Sequence, residues 1–94
     1  MEGTILKDNT VAHRLELLAN DKLVGTAHYQ ISGNTMTITH TEVLDEYKGK
    51  GYGNELARLA LNDLRRNQMK LNPACRFIAS FVRKHPQYAD LTRP

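Results

Sequence analysis

The segment Tyr47-Lys48-Gly49-Lys50-Gly51-Tyr52-Gly53-Asn54 divides the chain into two kinds of periodicity and constrains its fold more than any other feature. Before it, apolar residues alternate at strand spacing; after it, they recur at helical spacing. Glycine lets a backbone turn through positive φ and leaves no Cβ against an approaching ligand, so successive N–H groups in such a loop can point at one anion. A helix opening directly behind the loop adds the positive end of its dipole. Lys48 and Lys50 bring charge to the same place. The stretch reads as a phosphate cradle suited to a pyrophosphate, with an ordinary tight strand-to-helix turn as the competing explanation.

The half before the loop has the pattern of an antiparallel sheet. Residues 4–7 read as a short first strand, with Asp8-Asn9 as its turn. Residues 11–19 alternate, Arg14 and Glu16 against Leu15 and Leu17, and Asn20-Asp21 turns the chain into a return strand over 23–31. Ser32-Gly33-Asn34 makes the next turn. Residues 35–44, rich in β-branched side chains, form the strand with the strongest propensity.

Behind the loop, Leu56, Ala57, Ala60, Leu61 and Leu64 form one stripe of a helix over 53–69. Asn54, Glu55, Arg58, Asn62, Arg65 and Arg66 fall on its other side. A short strand over 70–74 tolerates Pro73 at a sheet edge. Phe77, Ile78, Phe81 and Val82 mark a second, shorter helix that closes at Pro86, where the ring cannot continue the ladder. Asp90 to Pro94 is expected to be a tail.

A chain of 94 residues has room for one modest core, so residues 1–94 are expected to be a single domain. A hydrophobic share of 40% without a long apolar run argues against a membrane span. The start Met1-Glu2-Gly3-Thr4 is acidic and lacks the apolar region of a signal peptide, which makes a cytoplasmic setting the expectation. Cys75, the only cysteine, excludes an internal disulfide and a cysteine-based metal site. His13, His28 and His85 lack ligand spacing, so no metal site is expected. Helix termination before Pro86 accounts for His85. Residues 1–45 carry a formal charge of −3 and residues 46–94 one of +6, which points to an anionic partner or to a solvated helix face. A nucleic-acid partner is disfavoured, because the aromatics are few and do not interleave with basic residues as a stacking platform needs.

The order of strands, glycine loop, long helix, short strand and short helix resembles the GNAT superfamily of acyl-coenzyme A-dependent N-acetyltransferases. Lys48-Gly49-Lys50-Gly51-Tyr52-Gly53 fits the signature Q/R-x-x-G-x-G/A, with lysine where glutamine or arginine is usual. The chain resembles more closely a subgroup of very short GNAT-like proteins. His40-Thr41-Glu42-Val43, the glycine loop, Cys75 and His85-Pro86-Gln87-Tyr88 carry that likeness over residues 12–91. The implied fold is α/β, of α+β type: a mostly antiparallel sheet, the glycine phosphate loop, one long helix and a shorter C-terminal helix.

The resemblance implies acetyl-coenzyme A as co-substrate and an amine, small molecule or protein, as acetyl acceptor. In such proteins the fourth strand carries a bulge and parts from the fifth, and the pantetheine arm lies in the gap. By match, that edge is Glu42, Val43 and Leu44, with an N–H near Val43 polarising the thioester. Lys48, Gly49, Lys50, Gly51, Tyr52, Gly53 and Asn54 would hold the pyrophosphate. Cys75 stands where larger relatives often have asparagine, and Val82 where they have the tyrosine that protonates the leaving thiolate.

Tyr88 can replace that donor only if the chain beyond Pro86 folds back to the site. Cys75, at the start of the second helix, is a candidate acyl acceptor and His40 its base, against a packing role for both. Glu42 is the alternative base and shares strand parity with His40 unless a bulge separates them. The expected activity is acetyl transfer to an amine, directly or through Cys75. A non-catalytic acyl-coenzyme A binding module and a small basic nucleic-acid-binding domain are the alternatives.

Overall fold

In the computed structural model, which describes residues 3–93, a five-stranded sheet has the spatial order β1-β2-β3-β4-β5. Its strands are β1 (Thr4–Asn9), β2 (Arg14–Ala19), β3 (Lys22–Ser32), β4 (Thr35–Val43) and β5 (Lys70–Pro73). A 3-10 turn, Asp45–Tyr47, leads through the glycine loop into α1 (Tyr52–Arg66); α2 (Arg76–Lys84) follows β5, and a 3-10 segment, Pro86–Thr92, ends the fold. Met1, Glu2 and Pro94, which belong to the expected acidic start and to the end of the expected tail, lie outside the described residues. The first four strands pair antiparallel in chain order, and β5 joins β4 in parallel from Thr35↔Lys70 to Ile38↔Pro73. Pro73 thus sits on an edge strand, where a missing N–H breaks no ladder.

Local chemistry sets the turns. Asn20 and Asp21 both have positive φ, 50° and 68°. This is the type I′ pattern that matches the twist of a hairpin, and it suits these short polar residues. Between β1 and β2 the Asn9 side-chain oxygen accepts the Ala12 N–H at 3.1 Å. That side-chain bond competes with strand pairing, so β1 runs on to Asn9 and β2 begins only at Arg14. The expected strand start at residue 11 becomes a turn, with Val11 92% exposed at its tip.

Helix α1 lays Leu56, Ala57, Ala60, Leu61 and Leu64 on one face of the sheet against Leu15, Leu17, Ala27 and Ile38, all buried. Gly25 permits the close approach: a Cβ there would lie 3.1 Å from the Glu42 carbonyl oxygen and 3.5 Å from Leu56 Cδ2. The helix stops at Arg66, short of the expected residue 69. Gln68 adopts a φ of 57°, and the Met69 N–H turns back to the Leu64 carbonyl at 2.9 Å, a left-handed helix stop.

Two further expectations change. Glu55, expected on the solvent side of α1, is only 7% exposed; its carboxylate accepts bonds from Thr4 Oγ1 at 2.7 Å and from Arg58 at 2.9–3.1 Å. The expected C-terminal tail is structured as far as Thr92, with Tyr88 and Leu91 buried. Arg65 fastens it by donating to both Asp90 carboxylate oxygens at 2.9 Å and to the Gln87 carbonyl at 2.7 Å. Among the described residues no helix is long and apolar enough to cross a membrane.

Candidate functional site

The glycine loop leaves a row of backbone donors open. Gly49 and Gly51 have φ of 80° and 86°, the left-handed region that side-chain-bearing residues avoid. Gly51 is the N-cap of α1, and no side chain caps the helix. The first bond of the helix runs from the Glu55 N–H to the Gly51 carbonyl at 3.1 Å, so the amides of Tyr52, Gly53 and Asn54 precede the ladder. The rings of Tyr47 and Tyr52 meet edge to face at 6.0 Å across the loop. Lys48 pairs with Asp45 at 2.9 Å, whereas Lys50 makes no ion pair among the described residues. The net result is a concavity with uncommitted donors, an arrangement that suits an anion.

Beside this loop the sheet opens. Pairing between β4 and β5 ends at Ile38↔Pro73, and β4 then bulges: His28 faces His40 while Tyr29 faces Ile38, which leaves Thr39 as the extra residue. The Leu44 N–H donates to the Val24 carbonyl on the β3 side at 2.9 Å. Backbone alternation then turns the Val43 N–H the other way, toward the gap. Thr41, Glu42, Val43, Lys48, Gly53, Leu56 and Phe77 line a cavity there. Gly53 keeps it open, since a Cβ would come within 3.1 Å of the Phe77 ring.

Cys75 stands at the inner end of the gap as the N-cap of α2. Its Sγ lies 3.3 Å from Thr41 Oγ1. Burial pushes the thiol up, but hydrogen bonds from the Thr41 hydroxyl and from the backbone of Ile78, Phe77 and Thr41 outweigh it, and the pKa falls below the ordinary thiol value. Hydrogen-bond geometry thus makes the thiolate more accessible here than at an ordinary cysteine.

The expected partnership of Cys75 with His40 is not formed. The Thr39 bulge shifts the phase of β4, so Thr41 follows Leu15 and Ala27 on the helix-covered face. His40 and Glu42 turn to the opposite face. There His40 lies opposite His28, with ring centroids 5.9 Å apart, and Glu42 lies opposite Thr26. The bulge precedes both residues, so their shared parity survives. Thr41 is the contact missed in the sequence, because a threonine in a β-branched run signals strand propensity and nothing else.

The chain beyond Pro86 folds back onto α1, yet Tyr88 is 6% exposed and its hydroxyl donates to Asn62 Oδ1 at 2.8 Å. It is a packed aromatic with a committed proton. Val82 is half-buried on α2, and His85 is fixed through an Nδ1 contact to the Phe81 carbonyl at 2.8 Å. Among the described residues no group of three or more His, Cys, Asp or Glu side chains could hold a metal ion.

This arrangement has counterparts in known proteins. A family model described as GCN5-related N-acetyl-transferase matches residues 14–91. Protein NATD1 of Danio rerio is 31% identical over 74 residues, 77% of this chain and 66% of that protein. Protein NATD1 of Homo sapiens is 34% identical over 59 residues, 61% of this chain and 52% of that protein. The chain thus spans between about half and two thirds of the length of these curated relatives. A GCN5-like protein from Staphylococcus aureus, solved by NMR, superimposes with a TM-score of 0.70 at 24% identity, covering 97% of this chain and 89% of that one. The ribosomal-protein-S18-alanine N-acetyltransferase of Escherichia coli does so with a TM-score of 0.61 at 16% identity, covering 89% and 52%. At these identities the two structures establish a shared fold.

Proposed function

The chain belongs to the GCN5-related N-acetyltransferase family, and we propose that it transfers an acetyl group from acetyl-coenzyme A to an amine. The observation that carries this reading is the row of uncapped amides from Tyr52 to Asn54 at the mouth of the gap between β4 and β5. These amides, with Gly49, Gly51 and Lys50, fit a pyrophosphate, and the gap beside Val43 fits an extended arm. Acetyl-coenzyme A supplies the activated acyl group.

In direct transfer the amine lone pair attacks the thioester carbonyl and the Val43 N–H holds the oxyanion. Glu42 or His40, on the helix-free face, accepts the amine proton. The carbon–sulfur bond then breaks as the amide forms, and the departing thiolate takes a proton from water. In the second reading, favoured by the lowered pKa of Cys75, its thiolate attacks first and coenzyme A leaves. The amine then displaces Cys75 from the resulting thioester. The helix-free face near His28, His40 and Glu42 suits an amine presented by a protein as well as a small metabolite. The single unpaired cysteine suits a reducing compartment, and this reading places the activity in the cytoplasm.

Native mass spectrometry with acetyl-coenzyme A tests the assignment: a one-to-one complex that free coenzyme A displaces is expected. Gly51→Val should abolish the complex while the fold persists, because forcing φ near 86° on a substituted residue costs about 1–2 kcal/mol and the side chain blocks the cradle. A variant binding as tightly as the parent removes the cradle from the argument. Denatured intact mass separates the two routes, since an added acetyl group that vanishes in Cys75→Ala marks the covalent one.

A further inference from the structure

Beyond the phosphate loop, a recess lies between the first turn of α1 and one face of α2. Asn54, Phe77, Ser80, Phe81, Lys84 and His85 line it. Positions 77, 80, 81 and 84 form a single helical stripe, so one face of α2 supplies most of the wall. The floor is aromatic: His85 stacks on Phe81 with ring centroids 4.0 Å apart. The rim is a set of donors. His85 is not one of them, because its Nδ1–H donates to the Phe81 carbonyl and a neutral imidazole has no second N–H. The side chains of Asn54, Ser80 and Lys84 make no hydrogen bond or ion pair among the described residues.

The charge is unbalanced. A carboxylate of the adjoining cavity, Glu55, is already matched by Arg58 at 2.9 Å, so it does not neutralise Lys84. The loop itself already supplies donors for a pyrophosphate. Cationic and hydroxyl donors gathered a few residues further on suit a second, separate phosphate. Asn54 belongs both to the loop and to the recess, so one ligand can reach both.

Resting on the acetyl-coenzyme A reading, we propose that this recess binds the ribose 3′-phosphate of coenzyme A through Lys84, Ser80 and Asn54. The protein thereby selects the 3′-phosphorylated cofactor over its dephospho form. A phosphate monoester held by a lysine and neighbouring neutral donors is worth about a tenfold gain in affinity.

Isothermal titration calorimetry of the full chain with coenzyme A and with dephospho-coenzyme A tests this. Coenzyme A is expected to bind about tenfold tighter, and Lys84→Gln, at an exposed position, is expected to collapse the preference toward parity. Equal affinity of the parent for both ligands overturns the inference while leaving the cofactor assignment standing. A preference that survives both Lys84→Gln and Ser80→Ala overturns the assignment of these residues. Binding of neither ligand by a folded parent removes the cofactor assignment, and the inference with it.

Discussion

Thr41 governs the ionisation of the cysteine beside it. Its hydroxyl, 3.3 Å from the Cys75 sulfur, donates to thiolate in a setting where burial alone would favour thiol. Alkylation of Cys75 by iodoacetamide should therefore follow a pH profile centred below that of an ordinary thiol. Thr41→Val should move the midpoint upward, because the donor is lost and the burial remains. An unchanged midpoint would mean that the backbone amides of α2 carry the effect alone. The glycines and Cys75 were legible in the sequence because their chemistry belongs to residue type. The Thr41 contact was not, since it depends on one extra residue in β4 that no local pattern announces, and the same phase shift removed His40 from Cys75.

At the scale of elements, α1 was legible because its apolar stripe recurs at helical spacing from Leu56 to Leu64. The closing segment was not, because its order comes from residues distant in sequence. Arg65 on α1 holds Asp90 and the Gln87 carbonyl, and Lys70 reaches the Asp90 carbonyl at 3.3 Å. The hydrogen bonds from Arg65 hold the Asp90 carboxyl below the ordinary carboxylate value. A group with a depressed folded-state pKa stabilises fully above its unfolded value and loses that contribution as pH falls through the folded one. Hydrogen exchange should show the amides of residues 88–93 losing protection at acid pH before those of α1. Arg65→Ala should produce the same local loss at neutral pH. If protection of the segment and of α1 fell together in both experiments, Asp90 would not be the latch. The burial of Glu55 belongs here as well: its spacing placed it on the outer face, and only the return of β1 beneath α1, with Thr4 as donor, brought it inside.

For the molecule as a whole, stability rests on one layer of helices over one sheet face. Leu61 is fully buried at that interface. Leu61→Ala should cost about 2–5 kcal/mol, a large part of the roughly 5–15 kcal/mol available to such a domain. Thermal denaturation should register a fall of about 10 °C or more; a shift of a degree or two would show that the core closes around the vacancy.

The unpaired Thr39 gives the end of β4 the character of a reading frame. Were that residue paired instead of extruded, unbroken alternation would exchange the two sides of the strand from His40 onward. The histidine and Glu42 would then point into the helices, and Thr41 and Val43 would point out to solvent. A change of pairing at that one position, with every side chain intact, would rewire the site more thoroughly than any substitution within it.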